Sequence, residues 1–215
     1  MAFKAHDAAV KFVRFAPSQT MLVTASSTGE LFFFDINGHL DLSKCVPIAL
    51  IQLPDSTEIN DLKWSADSNK VLVCCKNGYV YEIEKPNLAN VNTKDSYLIA
   101  DYPMRAFKIK MMEFQMKKNQ KKDEEEEEKK RRMRLRGELK DEALEVEEDW
   151  DPEPLTRVCY MNDDSGNFLV GASGLYKGYY YLCSFNQERP LKALPMFPDI
   201  ALTYMAFSAS NDLLI

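Results

Sequence analysis

The feature that most constrains the fold is a succession of three short apolar segments close to the N-terminus. They cover residues 10–15, 21–25 and 31–36, and each has the length and side-chain alternation of a β-strand. Polar residues separate them, and Gly29 can take the positive φ that a tight turn requires. Segments joined this closely are expected to pair in an antiparallel sheet.

The same pattern recurs along the chain. It returns in residues 59–83 and 156–185 and begins again in residues 202–215. An aromatic residue ends each first segment, at spacings of 49, 96 and 47 residues: Phe15, Trp64, Tyr160 and Phe207. A repeat of roughly 40–50 residues built from short strands predicts the blades of a β-propeller. A plain antiparallel sandwich is the alternative, but it does not call for a fixed period.

Residues 5–35 resemble a WD repeat. His6 follows Ala5 where that family has Gly-His, and Phe34-Asp35 stands where it has Trp-Asp. Thr28 occupies the turn position at which the family usually has an acidic residue, so the resemblance implies an incomplete hydrogen-bond tetrad. His6 itself is expected either to cap the blade or to lie in an exposed loop.

The resemblance covers the chain outside residues 107–150. It implies an all-β fold, a partial WD-repeat β-propeller of about three blades plus the start of another. The expected domains are residues 1–106 with the first two blades, a charged insertion at 107–150, and residues 151–215 with the continuing blades. Fourth strands are predicted at residues 46–53 and 96–102. Since propellers usually have four to eight blades, we expect a fragment of a longer chain.

The insertion differs in composition from the rest of the chain. It holds 13 Lys and Arg against 14 Asp and Glu, with a single glycine, Gly137. Apolar residues recur at helical spacing: Met104, Phe107, Met111 and Phe114, then Leu135, Leu139 and Val146. This pattern predicts one long solvated helix or two helices with a break near Gly137; the alternative is a disordered charged loop. The candidate partner-binding residues are Met111, Phe114, Leu135 and Leu139.

No motif for catalysis or cofactor binding is evident. The sequence has no nucleophile with a neighbouring base in a known frame, no phosphate-binding loop and no metal-ligand spacing. Five cysteines without a C-x-x-C pair predict reduced thiols, buried at Cys74, Cys159 and Cys183, in a reducing compartment. We therefore expect no enzyme activity, cofactor, metal or small-molecule substrate.

Charge and hydropathy limit the expected partners to proteins. The net charge of −6, and the acidic run at residues 124–128 between two basic stretches, argue against nucleic-acid binding. No apolar stretch has the length needed to cross a bilayer, and no signal peptide is visible.

Degenerate WD units, a Lys/Glu-rich insertion and the return sequence EEDWDPEPLTRVCY together are similar to the large cilia- and flagella-associated WD-repeat proteins. That resemblance implies a cytoplasmic, cytoskeletal scaffold of the motile axoneme, with any coiled-coil tail outside this chain. It implies as partners an inner dynein arm, the doublet microtubule and another axonemal WD-repeat protein. The alternatives are a non-ciliary scaffold in trafficking or RNA processing, and a propeller enzyme.

Overall fold

The computed structural model describes residues 5–36, 46–87, 97–108, 155–161, 165–173, 178–187, 189–195 and 204–206. They belong to one compact unit, Met1–Ile109 together with Glu153–Ile215. A second unit, Lys110–Pro152, lies outside the described residues, and so do Phe207 and all four candidate partner-binding residues.

The described residues form twelve strands in three antiparallel sheets of four strands each. Sheet 1 contains β1 (Val10–Phe15), β2 (Met21–Ser26), β3 (Glu30–Asp35) and β4 (Val46–Gln52). Sheet 2 contains β5 (Ile59–Trp64), β6 (Lys70–Cys75), β7 (Tyr79–Glu84) and β8 (Met104–Lys108). Sheet 3 contains β9 (Leu155–Tyr160), β10 (Phe168–Ala172), β11 (Tyr179–Cys183) and β12 (Lys192–Pro195). The all-β expectation is confirmed for these residues, whose only helical segment is a short 3₁₀ turn at Pro54–Ser56.

The predicted alignment of aromatic residues is confirmed for the three that the structure describes. Phe15, Trp64 and Tyr160 each end the first strand of their sheet. Their partners across the ladder stand near the start of each second strand: Leu22, Val71 and Phe168. The repeat period in the sequence therefore corresponds to one sheet per repeat.

The aromatic side chains of sheets 2 and 3 also contact the preceding sheet. The indole Nε1–H of Trp64 donates to the carbonyl oxygen of Arg14 at 3.1 Å. The hydroxyl of Tyr160 donates to Oε1 of Glu82 at 3.1 Å. Phe15 is the equivalent residue of sheet 1, which is the first described sheet in the chain, and this residue is 54% exposed. In sheets 2 and 3, the aromatic residue that ends the first strand therefore forms a hydrogen bond to the preceding sheet.

The fourth strand of sheet 2 differs from the prediction. It is β8 at Met104–Lys108, not residues 96–102. Leu98 instead makes a parallel bridge to Leu50 of β4, and the N–H of Ile99 donates to the carbonyl of Leu50 at 2.9 Å. The chain then turns at Asp101, whose φ is +52°, before β8 begins. The apolar segment around Leu98 therefore covers the outer edge of sheet 1 at β4. Covering an edge strand protects its unpaired backbone groups from pairing with another chain.

The predicted helical insertion is not supported where the structure describes it. Met104 and Phe107, two members of the helical pattern, lie on β8 and pair with Ile83 and Val80 of β7. The ring of Phe107 packs edge-on against Phe168 at 5.7 Å. The spacing of three residues between Met104 and Phe107 fits a helix, but these residues form a β-strand. The strand places the Phe107 ring in a buried position between sheets 2 and 3. The rest of the predicted helix lies outside the described residues.

Sheets 1 and 2 share a continuous hydrophobic core. Its fully buried members include Phe33, Ile51, Leu62, Val73 and Ile83, with Trp64 packed at its margin. Burying side chains of this size is the main favourable term in folding. This core packs the second sheet against the first.

His6 lies within sheet 1 rather than in an exposed loop. Its side chain is buried, with Nε2 2.7 Å from Oγ1 of Thr24 and Nδ1 3.1 Å from Oε2 of Glu30. The expected acidic partner is absent from the turn, where Thr28 bonds Ser26, but Glu30 supplies a carboxylate from the start of β3. The incomplete tetrad stays a prediction, and the acidic group that contacts His6 lies two residues after Thr28.

Candidate functional site

The four sequence-predicted partner-binding residues belong to the charged insertion. Met111, Phe114, Leu135 and Leu139 all lie outside the described residues. Two polar clusters and a polar cleft lie along the junction between sheets 2 and 3. We call this junction the seam, defined by β5 and β7 on one side and β9 on the other.

The first strands of the two sheets are joined at the seam by side chains of β5. Nδ2–H of Asn60 donates to the carbonyl of Leu155 at 2.7 Å. Asp61 accepts from the backbone N–H of Val158 at 3.2 Å through Oδ2, and from the N–H of Leu62 at 2.9 Å through Oδ1. Burial raises the pKa of Asp61, and the hydrogen bond from Val158 opposes that rise. β9 is an edge strand of sheet 3, and it pairs with β10 on one side only. The Asp61 carboxylate accepts the Val158 N–H on the other side, where a neighbouring strand would otherwise supply a carbonyl.

A second polar cluster centres on Glu82, in the middle of β7. Only 4% of this residue is exposed. Its Oε2 accepts from Lys70 at 3.3 Å and from Arg105 at 3.2 Å, and its Oε1 accepts from the Tyr160 hydroxyl. Burial and the neighbouring carboxylate raise the pKa of Tyr160, so its phenol stays protonated and remains a donor. A buried carboxylate needs such partners, and here they come from both sheets.

Arg105 extends this cluster along sheet 3. Its Nη2 donates to Oδ1 of Asn186 at 3.1 Å, and its guanidinium lies 4.8 Å from the centre of the Phe185 ring. The cluster is therefore a cross-sheet connection in which Arg105 of β8 contacts both Glu82 of β7 and the turn that follows β11. Its geometry is that of a structural joint rather than of an acid–base pair open to substrate.

A cleft of about 340 Å³ opens at the other end of the seam. All six of its lining residues are polar: Glu58, Asn60, Lys76, Thr156, Arg157 and Ser173. They stand at the beginnings of β5 and β9 and just after β6 and β10. The hydroxyl oxygen of Thr156, Oγ1, is buried and has no hydrogen-bond partner among the described residues.

Ion pairs surround the mouth of the cleft. The carboxylate of Glu58 contacts the ammonium groups of both Lys11 and Lys76. The hydrogen bond from Lys11 lowers the pKa of Glu58, so this carboxylate is ionised at neutral pH. Two ammonium groups, of Lys11 and Lys76, therefore face one carboxylate, while the guanidinium of Arg157 in the lining acts on the carboxylate of Asp61.

The described part of the chain offers little of what catalysis by metal or thiol requires. Its His, Cys, Asp and Glu side chains include no group of three or more placed to hold a metal ion. The four described cysteines are buried free thiols, which confirms the predicted burial of Cys74, Cys159 and Cys183. Burial raises the pKa of Cys75 and of Cys159 to about 12, so neither is a thiolate at neutral pH.

These thiols are expected to make the fold less stable in alkali. In the unfolded chain a cysteine ionises near its ordinary pKa of about 9, whereas in the folded chain Cys75 and Cys159 hold their protons up to about pH 12. Stability is therefore complete below pH 9 and falls as the pH rises, by about 1.4 kcal/mol per thiol at pH 10. Urea unfolding at pH 7 and pH 10 measures this loss. The Cys75→Ala, Cys159→Ala double variant should lose less between the two pH values; an unchanged loss would contradict the assignment.

Two comparisons with known proteins agree with the repeat pattern. The family model described as WD domain, G-beta repeat matches residues 1–35, which contain β1, β2 and β3. The chain is also 25% identical over 216 residues to "Cilia- and flagella-associated protein 44" of Mus musculus. That alignment covers 85% of this chain but only 11% of the mouse protein. Residues 1–35 are therefore similar to a WD repeat, and the chain spans about a tenth of the relative's length.

The comparisons bear on the class of function. WD repeats are generally found in scaffolds that mediate contacts between proteins, and neither description names an enzyme. Where the structure describes the chain, no helix is both long and apolar enough to cross a membrane.

The sequence reasoning missed the seam, although its residues carry a signal. Asp61 and Glu82 are charged residues in the interior of strand segments, each directly followed by an apolar residue, Leu62 and Ile83. Such residues rarely lie buried without a partner. Their partners could not be named in advance, because Val158 and Tyr160 lie 97 and 78 residues further along the chain.

Proposed function

We propose that the chain is part of a non-catalytic WD-repeat scaffold of the motile ciliary or flagellar axoneme. The observation that carries this proposal is the similarity to a mouse cilia- and flagella-associated protein, which extends over 85% of the chain and not only over its first repeat. The three sheets are, in this proposal, blades of a β-propeller whose first strands lie side by side. Contacts between β1 and β5 and between β5 and β9 support that arrangement.

The proposed role is to help tether an inner dynein arm motor to the doublet microtubule, and so to influence ciliary beating. Another axonemal WD-repeat protein is the proposed partner. Rigid joints suit such a tether, because a scaffold transmits force only if its sheets do not slide. The seam supplies joints of this kind through Asp61 and Glu82, each of which bonds across two sheets.

The insertion is the proposed partner-docking element, with Met111, Phe114, Leu135 and Leu139 as candidate contacts. Charge density excludes it from a hydrophobic core, and its apolar residues are too few to stabilise a helix alone. Such a segment is stabilised by lying against another surface. Nothing in this proposal depends on whether the segment is helical before it binds.

Replacing residues 117–137 by a Gly/Ser linker of equal length tests both parts of the proposal. We expect the tagged protein to reach the axoneme in a ciliated cell, and the variant to fold normally but to recover at least about fivefold less dynein arm or axonemal WD-repeat protein in pull-downs. A second variant with the four apolar candidates changed to serine, and the charges kept, should show the same loss. Localisation of the unaltered protein outside cilia would instead support the non-ciliary scaffold. Unchanged recovery would remove the docking role.

A further inference from the structure

We infer that the exposed face of β1 is an interface for a further antiparallel sheet of the same protein, and that this sheet carries an apolar residue at the centre of its third strand. The inference rests on the proposed propeller arrangement and on no ciliary partner. Among the described residues, six large apolar side chains are exposed, and three of them lie on this one strand: Val10, Val13 and Phe15.

The corresponding face of β5 is buried against sheet 1. The ladders align β1 with β5 residue by residue, and both strands have a bulge just after their first residue. Val10 and Val13 therefore correspond to Ile59 and Leu62, which are 0% exposed within the core that sheets 1 and 2 share. Val10 and Val13 themselves are 51% and 48% exposed. The same surface of two equivalent strands is thus covered in sheet 2 and uncovered in sheet 1.

Sheet 3 repeats this burial against sheet 2. β9 has its bulge at the same place, and Leu155 and Val158, which correspond to Ile59 and Leu62, are also 0% exposed. In repeat proteins an outermost repeat that faces solvent has a polar outer face, whereas the face of β1 is apolar. A further sheet is therefore the occupant that fits β1. The alignment with the mouse relative covers only 11% of that protein, which leaves it chain for further sheets.

The aromatic residue that ends each first strand is matched to one residue of the preceding sheet. The ring of Trp64 packs edge-on against Phe33, with ring centres 6.0 Å apart, and the hydroxyl of Tyr160 donates to Glu82. Phe33 and Glu82 hold the same ladder position in the third strands of their sheets. The side chain of Phe15 has no polar atom, so it suits an apolar residue there and cannot satisfy a buried carboxylate.

Cysteine labelling at position 13 tests whether this face is covered. Val13→Cys is made in the purified 215-residue chain and in the complete gene product, also purified alone, and modification by N-ethylmaleimide is followed by peptide mass spectrometry. We expect labelling at this position to be at least about tenfold slower in the complete product, because a covered thiol reacts only through local opening.

Glu84→Cys is the control for this measurement, because Glu84 is exposed at the end of β7 and should label at equal rates in both proteins. Equal rates at position 13 in the two proteins would overturn the inference. Slow labelling of the 215-residue chain that becomes faster on dilution would also overturn it, by assigning the face to a second copy of the chain.

Adding Phe15→Tyr to the Val13→Cys variant tests the predicted match. The equivalent hydroxyl, that of Tyr160, lies against Glu82, which is only 4% exposed, so the new hydroxyl would be buried without an acceptor. Labelling in the complete product should then be at least about fivefold faster, and labelling in the 215-residue chain unchanged. An unchanged rate in the complete product would show that the covering sheet offers an acceptor, against the apolar match. Neither measurement involves cilia, so this inference and the axonemal role can fail separately.

Discussion

Replacing Glu82 by alanine is expected to lower the free energy of unfolding by about 2–3 kcal/mol. The variant removes a buried carboxylate that three side chains share, Lys70, Arg105 and Tyr160. Lys70 and Arg105 are 36% and 50% exposed, so water can replace part of what they lose. The cost arises mainly from the Tyr160 hydroxyl left without its acceptor and from the space left beside β7. Urea denaturation followed by circular dichroism measures the change.

Glu84→Ala is the matched control for this prediction. Glu84 lies two residues further along the same strand and is exposed, so the intrinsic β-propensity changes equally while no buried contact is lost. Its expected effect is within about 0.5 kcal/mol. A double-mutant cycle with Tyr160→Phe should give a coupling energy of about 0.5–3 kcal/mol, because the two groups are in direct contact. Equal effects of Glu82→Ala and Glu84→Ala would show that the cluster contributes nothing to stability.

The strands that the sequence predicted well are those in which local signals agree. In β6 and β7 an apolar segment on each side of Asn77-Gly78 makes both the strands and the turn evident. Gly78 takes a φ of +80°, as a turn of this kind requires. Alternation, turn chemistry and pairing between sequence neighbours all point to the same hairpin, so no distant contact has to be known.

The outer strand of sheet 2 could not be placed in this way. The alternation in β8 is weak because only Phe107 of its five residues is buried, and an outermost strand contacts one neighbour only. The segment around Leu98 has the stronger apolar pattern, yet it pairs with Leu50 of sheet 1. Which of two candidate segments joins which sheet depends on packing between distant parts of the chain, and this packing leaves no local mark in the sequence.

The candidate site was similarly out of reach. Lys76 and Thr156 read as an ordinary turn lysine and an ordinary strand threonine, 80 residues apart. They line one cleft because β5 and β9 lie side by side, and the period of the repeats already indicated that these strands are equivalent. The repeat thus predicts which positions stand at the same end of neighbouring sheets. It does not predict which of those positions carry polar side chains that line a cleft.

Gly29→Ala is expected to destabilise the fold by about 3 kcal/mol. Gly29 has a φ of +80°, a conformation that costs about 1 kcal/mol or more for a residue with a Cβ. A Cβ at this position would also lie 2.7 Å from the carbonyl oxygen of Thr57, which is main chain and buried. The N–H of Leu53 donates to the carbonyl of Gly29 at 2.9 Å and holds the turn against this linker, so relief of the clash requires movement of backbone.

Gly166→Ala separates the two parts of this cost. Gly166 has a similar φ of +69°, but no described residue lies within 4 Å of the position that its Cβ would take. Its replacement should therefore cost only the conformational part, about 1 kcal/mol. Urea denaturation of both variants measures the difference, which reports the contact between the β2–β3 turn and the linker from sheet 1 to sheet 2. If both substitutions lower the free energy of unfolding equally, the β2–β3 turn is not in close contact with Thr57, and the described approach of the turn to the linker is wrong.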